Sequence, residues 1–311
     1  MTIDERRMTG VGLAALTAVV SGVAVFVNGY GVRRFPDATT YTTAKNLVAA
    51  AAIVALLGLA HRRRPASGCT RAQRPSHTWG LVAVAIIGGS IPFVLFFEGL
   101  ARATSTDAAF IHKTLVAWVA IMAVVALRER LTPLHLAAIA VILVGQAEIR
   151  GGVGWPDAGS GELLILLATV CWAVEVIVAK RLLADLSPLT VSTARMAGGA
   201  AMLVAWVVMS GRGDDLLGLA PHQVGWVLLT GVILSGFVVS WHHALALAPA
   251  VDVTAVLVFG AVITAFLNAS VRGAPLSPLA TGLVLIALGV IAVIGQAVAG
   301  RRSHRPVPEP A

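Results

Sequence analysis

Five charged side chains lie well inside long apolar stretches of this sequence, where a charge needs a physical reason. The cations are Lys45, Lys113 and Arg195, and the acids are Glu98 and Glu175. A charge at the centre of a hydrocarbon-spanning helix costs roughly 2.5–3.5 kcal/mol on insertion scales, so such residues face a cavity or a partner. There they could bind an oppositely charged ligand or carry a proton.

Lys113 shares one helical face with three alanines, Ala109, Ala117 and Ala120. A face of small residues with one cation leaves room for a ligand, so this pattern predicts a cavity wall with Lys113 as a substrate contact. Tight helix packing with a snorkelling lysine is the alternative. His112 is the next residue, turned ~100° around the helix, and is a second substrate-binding candidate.

Lys45 and Arg195 occupy similar places in two other stretches. Lys45 shares its face with Tyr41, and Arg195 shares its face with Ser192. One hypothesis is that the two cations form symmetry-related gates or contacts for an anionic substrate. The alternative is that each cation caps a neighbouring helix end or anchors its helix at the membrane interface.

Glu175 is the acid closest to the middle of an apolar stretch. It is the first candidate for proton coupling, and a structural ion pair with Arg195 is the alternative. Glu98 lies near the end of its stretch. We expect it to be a structural partner of Lys45 or Lys113, with proton coupling as the other hypothesis.

Several uncharged polar residues lie on small-residue faces of the apolar stretches. Ser240 and His243 share such a face, which makes His243 a substrate-binding candidate, while the adjacent His242 points elsewhere, so the two histidines do not share a metal. Asn28 and Asn268 fit substrate contact and simple helix-to-helix hydrogen bonding equally well. The sequence has no metal-ligand spacing, and no metal or cofactor is expected.

The composition is that of an all-α integral membrane protein. The 311 residues are 58% hydrophobic and 12% charged, with a mean hydropathy of +0.87, whereas soluble domains carry about 25% charged residues. The net charge of +8 lies mostly in short loops, so it indicates topology in a lipid bilayer and no nucleic-acid partner. Ten segments of the length that crosses ~30 Å of hydrocarbon are predicted as helices: 8–30, 40–60, 79–102, 108–128, 132–149, 161–183, 188–210, 222–247, 251–272 and 276–299.

The loop Lys and Arg residues are distributed unevenly between the two ends of the predicted bundle. Fourteen lie at the end that carries the N-terminus and six at the other. Cytoplasmic loops are enriched in these residues, so both termini are predicted in the cytoplasm of a multi-pass protein of the cell (inner) membrane. The fourteen are Arg6, Arg7, Arg62, Arg63, Arg64, Arg71, Arg74, Arg128, Arg130, Lys180, Arg181, Arg301, Arg302 and Arg305.

The two halves of the chain repeat each other. At an offset of 150 residues Lys45 falls on Arg195, and at an offset of 145 residues Asp107 falls on Asp252. Each half has five predicted helices, and because five is odd the halves cross the membrane in opposite senses, an inverted repeat typical of secondary transporters. The predicted units are a first repeat at 8–149, a second at 160–299 and a disordered cytoplasmic tail at 300–311.

Several motifs are shared with one known family. They are the basic positions Lys45 and Arg195, the glycines Gly282 and Gly289 of the last helix, and the stretch 127–132, which reads Leu-Arg-Glu-Arg-Leu-Thr. The last is similar to the Gly-Glu-Arg-Leu-Thr of the ten-helix, EamA-type branch of the drug/metabolite transporter superfamily. The sequence resembles this branch over about 8–299.

The sequence also departs from the family pattern. Lys45 replaces the commoner arginine, and 272–276 holds no second acidic motif. Helices four and nine lack the usual proline near Val116 and Ala261, which puts in question any kink that the family uses for gating.

The resemblance implies a secondary transporter, with a central cavity between helices one to four and six to nine and with helices five and ten outside it. We expect an exporter of a small polar or zwitterionic metabolite, such as an amino acid, working by alternating access. A proton-coupled multidrug efflux pump is the alternative. Three helix cations against two clear acids predict a substrate with an anionic group. An enzyme is not expected, because no His-x-x-x-His, His-Glu-x-x-His or Gly-x-Ser-x-Gly motif occurs in the sequence.

Overall fold

Ten helices that are long and apolar enough to cross a membrane follow one another along the chain. The computed structural model describes residues 3–62, 75–152 and 159–303, and no β-strand occurs within them. The helices are α1 (Asp4–Arg34), α2 (Ala38–Arg62), α3 (Pro75–Leu100), α4 (Asp107–Leu127), α5 (Pro133–Arg150), α6 (Ser160–Leu182), α7 (Pro188–Met209), α8 (Pro221–Leu247), α9 (Ala250–Arg272) and α10 (Ser277–Ala299).

The predicted fold class is confirmed: the protein is an all-α membrane protein with ten helices in two inverted five-helix repeats. Most bounds agree with the prediction to within a few residues because the starts are marked by proline, whose missing N–H costs nothing in a first turn. Pro133 and Pro188 begin α5 and α7, and Pro249 caps α9. The helical backbone of α10 continues to Ser303, and the rest of the predicted tail, 304–311, lies outside the described residues.

The packing of the helices follows the internal repeat. Helix α1 packs against α8 and α9, and its counterpart α6 packs against α3 and α4. Helices α2 and α7 contact each other, as do α4 and α9, and α5 packs along α10. Each of these contacts maps onto itself or onto another when the two halves are exchanged, as a pseudo-two-fold axis between the repeats requires.

Glycines make the closest helix contacts. Gly89 of α3 lies against Gly199 of α7, and Gly145 of α5 lies against Gly282 of α10. A Cβ added to Gly145 would lie 2.7 Å from the carbonyl oxygen of Gly282. Lipid supplies no hydrophobic force between helices, so close backbone contact at small residues contributes much of the association.

Helices α4 and α9 are both broken near their middle, although neither contains the expected proline. Helix α4 is interrupted at Thr114, and α9 at Val258 and Phe259. The two breaks coincide at the repeat offset of 145 residues. Both helices are thus interrupted without a proline, and at Thr114 the hydroxyl donates to the carbonyl of Ile111 at 2.6 Å.

An ionic cluster ties together the bundle end that carries the start of α1, here named the Arg7 end. Asp252 is 1% exposed and accepts from Arg7 at 2.8 Å and from Nε2 of His135 at 3.1 Å. At the opposite end, named the Arg150 end, the repeat counterpart Asp107 accepts from Arg150 at 2.6 Å. The repeated aspartates thus serve the same purpose at opposite ends of the bundle.

The turn between α8 and α9 is capped by side chains from other helices. Lys180 donates to the carbonyl of Ala248 at 2.7 Å, near the end of α8. Glu129 accepts from the backbone N–H of Ala250 at 2.8 Å, at the start of α9. A carboxylate at a helix N-terminus and an ammonium at a helix C-terminus both interact favourably with the helix dipole. The acidic residue of the 127–132 motif therefore joins the two repeats.

Candidate functional site

A largely apolar cavity of about 220 Å³ lies among α3, α4, α6, α7, α8 and α9. Both repeats contribute to it, in the region that the family resemblance indicated, though α1 and α2 do not appear among the lining residues. The cavity is lined by Phe93, His112, Leu115, Trp172, Glu175, Val176, Arg195, Met196, Leu234, Phe237, Val238, Trp241 and Leu257.

Glu175 and Arg195 bring opposite charges to one wall of this cavity. Arg195 Nε lies 3.6 Å from Glu175 Oε1, and Nε2 of His242 lies 3.6 Å from the same oxygen. All three atoms are buried, and none has a hydrogen-bond partner among the residues that the structure describes. At these separations the groups attract each other but make no hydrogen bond, so the cluster has donors and acceptors left for a ligand.

Local structure explains how these side chains converge. In α6, Trp172, Glu175 and Val176 follow helical spacing and share one face. Gly88 of α3 packs against Glu175, and a Cβ there would collide with its Cγ. Arg195 lies in a π-helical segment of α7, Ala194–Gly198, and such wide turns occur frequently at functional sites.

His242 is held in place from its other side by Ser192. The side chain of His242 is 0% exposed, and its Nδ1 lies 2.8 Å from the hydroxyl of Ser192. That hydroxyl lies within 2.8 Å of the carbonyl oxygen of Pro188, one turn earlier in α7. The imidazole is therefore fixed between α7 and Glu175 of α6.

Aromatic rings form most of the remaining wall. The rings of His112 and Trp172 meet edge to face at 4.9 Å, and Phe93 meets Trp172 in the same way at 5.4 Å. Phe237 and Trp241 of α8 are stacked at 6.3 Å. His112 Nδ1 is buried with no hydrogen-bond partner in the described part of the chain. The site thus combines an apolar, aromatic interior with one charged wall.

The structure separates the two neighbouring candidates of α4. His112 lines the cavity, but Lys113 does not appear in its lining. Lys113 makes no ion pair with any residue in the described ranges. Arg195, another of the helix cations, does line the cavity.

Lys45 and Asn28 belong to a separate cluster towards the Arg150 end. Asn28 Oδ1 accepts from Lys45 at 3.1 Å and from the hydroxyl of Tyr41 at 2.6 Å. The ammonium also lies 5.0 Å from the centre of the Tyr41 ring. Lys45 and Arg195 are related by the repeat, yet only Arg195 lies beside an acid, because the counterpart of Glu175 in α1 is Val25.

Three other candidates lie away from the cavity. Asn268 donates to the carbonyl of Thr264 in its own helix at 3.0 Å. His243 bonds the carbonyl of Val239 at 2.7 Å and lines a groove between α1, α2 and α8. Glu98 pairs with Arg102 at 3.1 Å, so the expectation that it pairs with Lys45 or Lys113 was wrong, because an arginine four residues further along the chain is within reach.

Residues that sequence reasoning missed contribute most of the site. Trp172 has helical spacing to Glu175, and that spacing could have identified it. His242 was set aside only because it cannot share a metal with His243, and its contact with Ser192 is not visible in the sequence. No group of three or more metal-ligating side chains occurs in the described ranges.

Comparison with known proteins now identifies the family. The model of the EamA-like transporter family matches residues 8–149 and 159–295. The chain belongs to the EamA-like transporter family. A solved structure titled "Crystal structure of protein" is similar to this chain with a TM-score of 0.71, covering 96% of this chain and 100% of that one. Their identity is 18%, so the likeness shows the shared EamA fold alone. No curated protein matches.

Proposed function

We propose that this EamA-family protein is a secondary transporter that exports a small zwitterionic metabolite, such as an amino acid, in exchange for protons. Glu175 belongs to the proton site, and Arg195 binds the anionic group of the substrate. His112 and the aromatic residues around Trp172 hold the rest of the molecule. The membrane is the cell (inner) membrane, with both termini in the cytoplasm, as the Lys and Arg distribution favours.

The open ion pair on the cavity wall carries this proposal. Glu175 Oε1 and Arg195 Nε are 3.6 Å apart, and each lacks a hydrogen bond within the described residues. Leaving buried polar atoms unpaired costs about 1–3 kcal/mol each, more for charged groups. A substrate ammonium donates to the carboxylate and a substrate carboxylate accepts from the guanidinium, so a zwitterion satisfies both groups at once.

Proton exchange follows from the same arrangement. An ammonium and a proton compete for the oxygen of Glu175. The site therefore changes its access from one side of the membrane to the other with either the substrate or the proton bound. Alternating access over a site between inverted repeats is the usual mechanism of such folds. The breaks in α4 and α9, at repeat-related positions beside the cavity, are suited to act as hinges.

A multidrug efflux pump remains the second candidate, and the aromatic walls favour it. Stacked rings such as Phe237 and Trp241 attract lipophilic cations. Two observations favour the metabolite. The cavity is about 220 Å³, smaller than the roughly 300–1,000 Å³ of pockets for drug-sized ligands, and Arg195 repels a cation from the wall that Glu175 would offer it.

Transport by the reconstituted protein tests the proposal. Liposomes containing the full chain are loaded with amino acids, their amides or N-acetyl forms, and release is followed with and without an imposed pH gradient. We expect release of a zwitterion that the gradient accelerates, with slower release of the amide and of the N-acetyl form. Exchange of tetraphenylphosphonium with no exchange of any zwitterion would favour the efflux pump.

A further inference from the structure

His242 presents an unsatisfied nitrogen to Glu175 in the interior of the protein. Its Nε2 and the Oε1 of Glu175 are 3.6 Å apart, both buried and both without hydrogen-bond partners in the described residues. The other ring nitrogen, Nδ1, lies 2.8 Å from the hydroxyl of Ser192. What occupies the space between Nε2 and the carboxylate depends on which nitrogen carries the hydrogen.

The hydrogen bonds of Ser192 favour one tautomer of His242. A serine hydroxyl has one hydrogen, and the Ser192 hydroxyl donates it to the carbonyl of Pro188 at 2.8 Å, in the manner of serines inside helices. The hydroxyl can then only accept from His242, so Nδ1 carries the hydrogen. In a neutral imidazole the other nitrogen is an acceptor, so Nε2 turns a lone pair towards the oxygen of Glu175.

Two acceptors that face each other repel, and a proton on either atom replaces this repulsion with attraction. We infer that Glu175 and His242 together hold one exchangeable proton, carried on Nε2 and stabilised by the carboxylate that faces it at 3.6 Å, with Ser192 as the positioning residue that keeps Nε2 free to receive it. The proton adds to the lone pair of Nε2, no other bond breaks, and the charge of the site rises by one. The imidazolium then attracts the carboxylate across 3.6 Å, and an approach to about 3.0 Å gives both atoms a hydrogen bond.

This inference deepens the proposed function and rests on it in one respect, the identity of the competitor. A substrate ammonium has donors only, so it satisfies the same two acceptors that the proton does. Binding of either excludes the other, which is the condition for exchange. The proton site itself requires only the contacts between Ser192, His242 and Glu175.

The charged and titratable groups around His242 come from four helices. Glu175 faces it from α6 and Arg195 from α7. His112 lines the same cavity from α4, and His243 follows it in α8. Of these, only Glu175 is an acid, so it alone stabilises an imidazolium at this position.

Nitrogen NMR of the full chain in lipid nanodiscs, with ¹⁵N-labelled histidine, tests the proton site without any substrate. The His242→Gln variant identifies the His242 signals, and His243→Gln is the matched control, since His243 is its neighbour but lines a different groove. We expect the Nδ1–H tautomer at about pH 8 and increasing double protonation of the ring as the pH is lowered stepwise from there. We expect Ser192→Ala to increase the population of the Nε2–H tautomer. We expect the ring to stay neutral over the whole pH range in Glu175→Gln.

Three results would overturn the inference: a dominant Nε2–H tautomer in the unaltered protein, a tautomer that Ser192→Ala leaves unchanged, or full protonation of His242 in Glu175→Gln. The signals of the other histidines report whether each variant is folded. The expected spectra in a protein that transports no zwitterion would remove the proposed function and leave the proton site standing. Zwitterion transport with any of the three contrary spectra would do the reverse.

Discussion

Glu175 is the residue on which the transport proposal depends most directly. Its side chain is buried beside Arg195 and His242, whereas Glu98 is 43% exposed and pairs with Arg102 along its own helix. The two glutamates that the sequence offered as proton carriers therefore differ sharply in environment. Arg102 pairs with Glu98, while Glu175 has an oxygen with no partner in the described part of the chain.

We expect Glu175→Gln to abolish the response of transport to a pH gradient while the protein remains in the membrane. The amide cannot exchange a proton, and it leaves no negative charge for an ammonium. Transport rates in liposomes as a function of internal and external pH provide the measurement, with Glu98→Gln as the matched control of unchanged pH response. A pH response that survives in Glu175→Gln would remove this residue from the coupling mechanism.

Arg195 replaces Lys113 as the expected contact of the substrate's anionic group. We expect Arg195→Gln to weaken a carboxylate-bearing substrate roughly tenfold to a hundredfold relative to its amide, corresponding to the ~1.5–3 kcal/mol of a hydrogen bond to a charged group. Competition assays with acid and amide pairs measure this ratio. The comparison variant is Lys113→Met, and a larger loss of acid-over-amide preference there would return the anion contact to Lys113.

At the scale of the elements, close backbone contact between helices carries much of the stability. Gly199 of α7 lies directly against Gly89 of α3. We expect Gly199→Ala to destabilise the protein by ~1–3 kcal/mol, the usual cost of overpacking, because the added methyl group meets backbone that cannot move aside. Thermal unfolding in detergent checks this. Gly58→Ala in α2 is the control, since nothing lies near its Cβ position, and an equal drop in Tm for both would contradict the packing argument.

The repeat-related aspartates offer a second comparison between elements. Asp252 is 1% exposed and has two partners, Arg7 and His135, whereas the side chain of Asp107 is 19% exposed and pairs with Arg150. Breaking a buried charge pair costs about 3–5 kcal/mol and a partly exposed one much less. We therefore expect Asp252→Asn to lower Tm more than Asp107→Asn. Equal shifts in Tm would show that the Asp252 cluster stabilises the protein no more than the Asp107–Arg150 pair does.

At the scale of the whole molecule, the orientation in the membrane is the central prediction. Both termini are expected in the cytoplasm, because loop Lys and Arg residues concentrate at the Arg7 end. Reporter proteins that are active on one side only, fused to the C-terminus and inserted after Gly152 in the connection between α5 and α6, provide the test. A C-terminal fusion that reports from outside the cell would reverse the topology and with it the direction of transport.

The sequence by itself determined the ten helices, their order and the inverted repeat. These depend on local properties: apolar length sets how far a helix reaches across hydrocarbon, proline marks its start, and an odd number of crossings inverts the second half. The pairing of Glu175 with Arg195 was also predicted, as an alternative. Both charges lie within membrane-spanning helices, where an unpaired charge is costly.

Only the tertiary structure decided which polar residues meet. Lys45 and Arg195 look alike in sequence, yet one lies beside Asn28 and the other beside Glu175, because α6 carries an acid where α1 carries Val25. His242 and His243 are adjacent, and neighbouring residues of a helix point in directions about 100° apart. The first therefore faces Glu175 and the second a different groove. The helix in which a residue lies follows from local chemistry, but the face that meets the cavity is set by how the other nine helices pack.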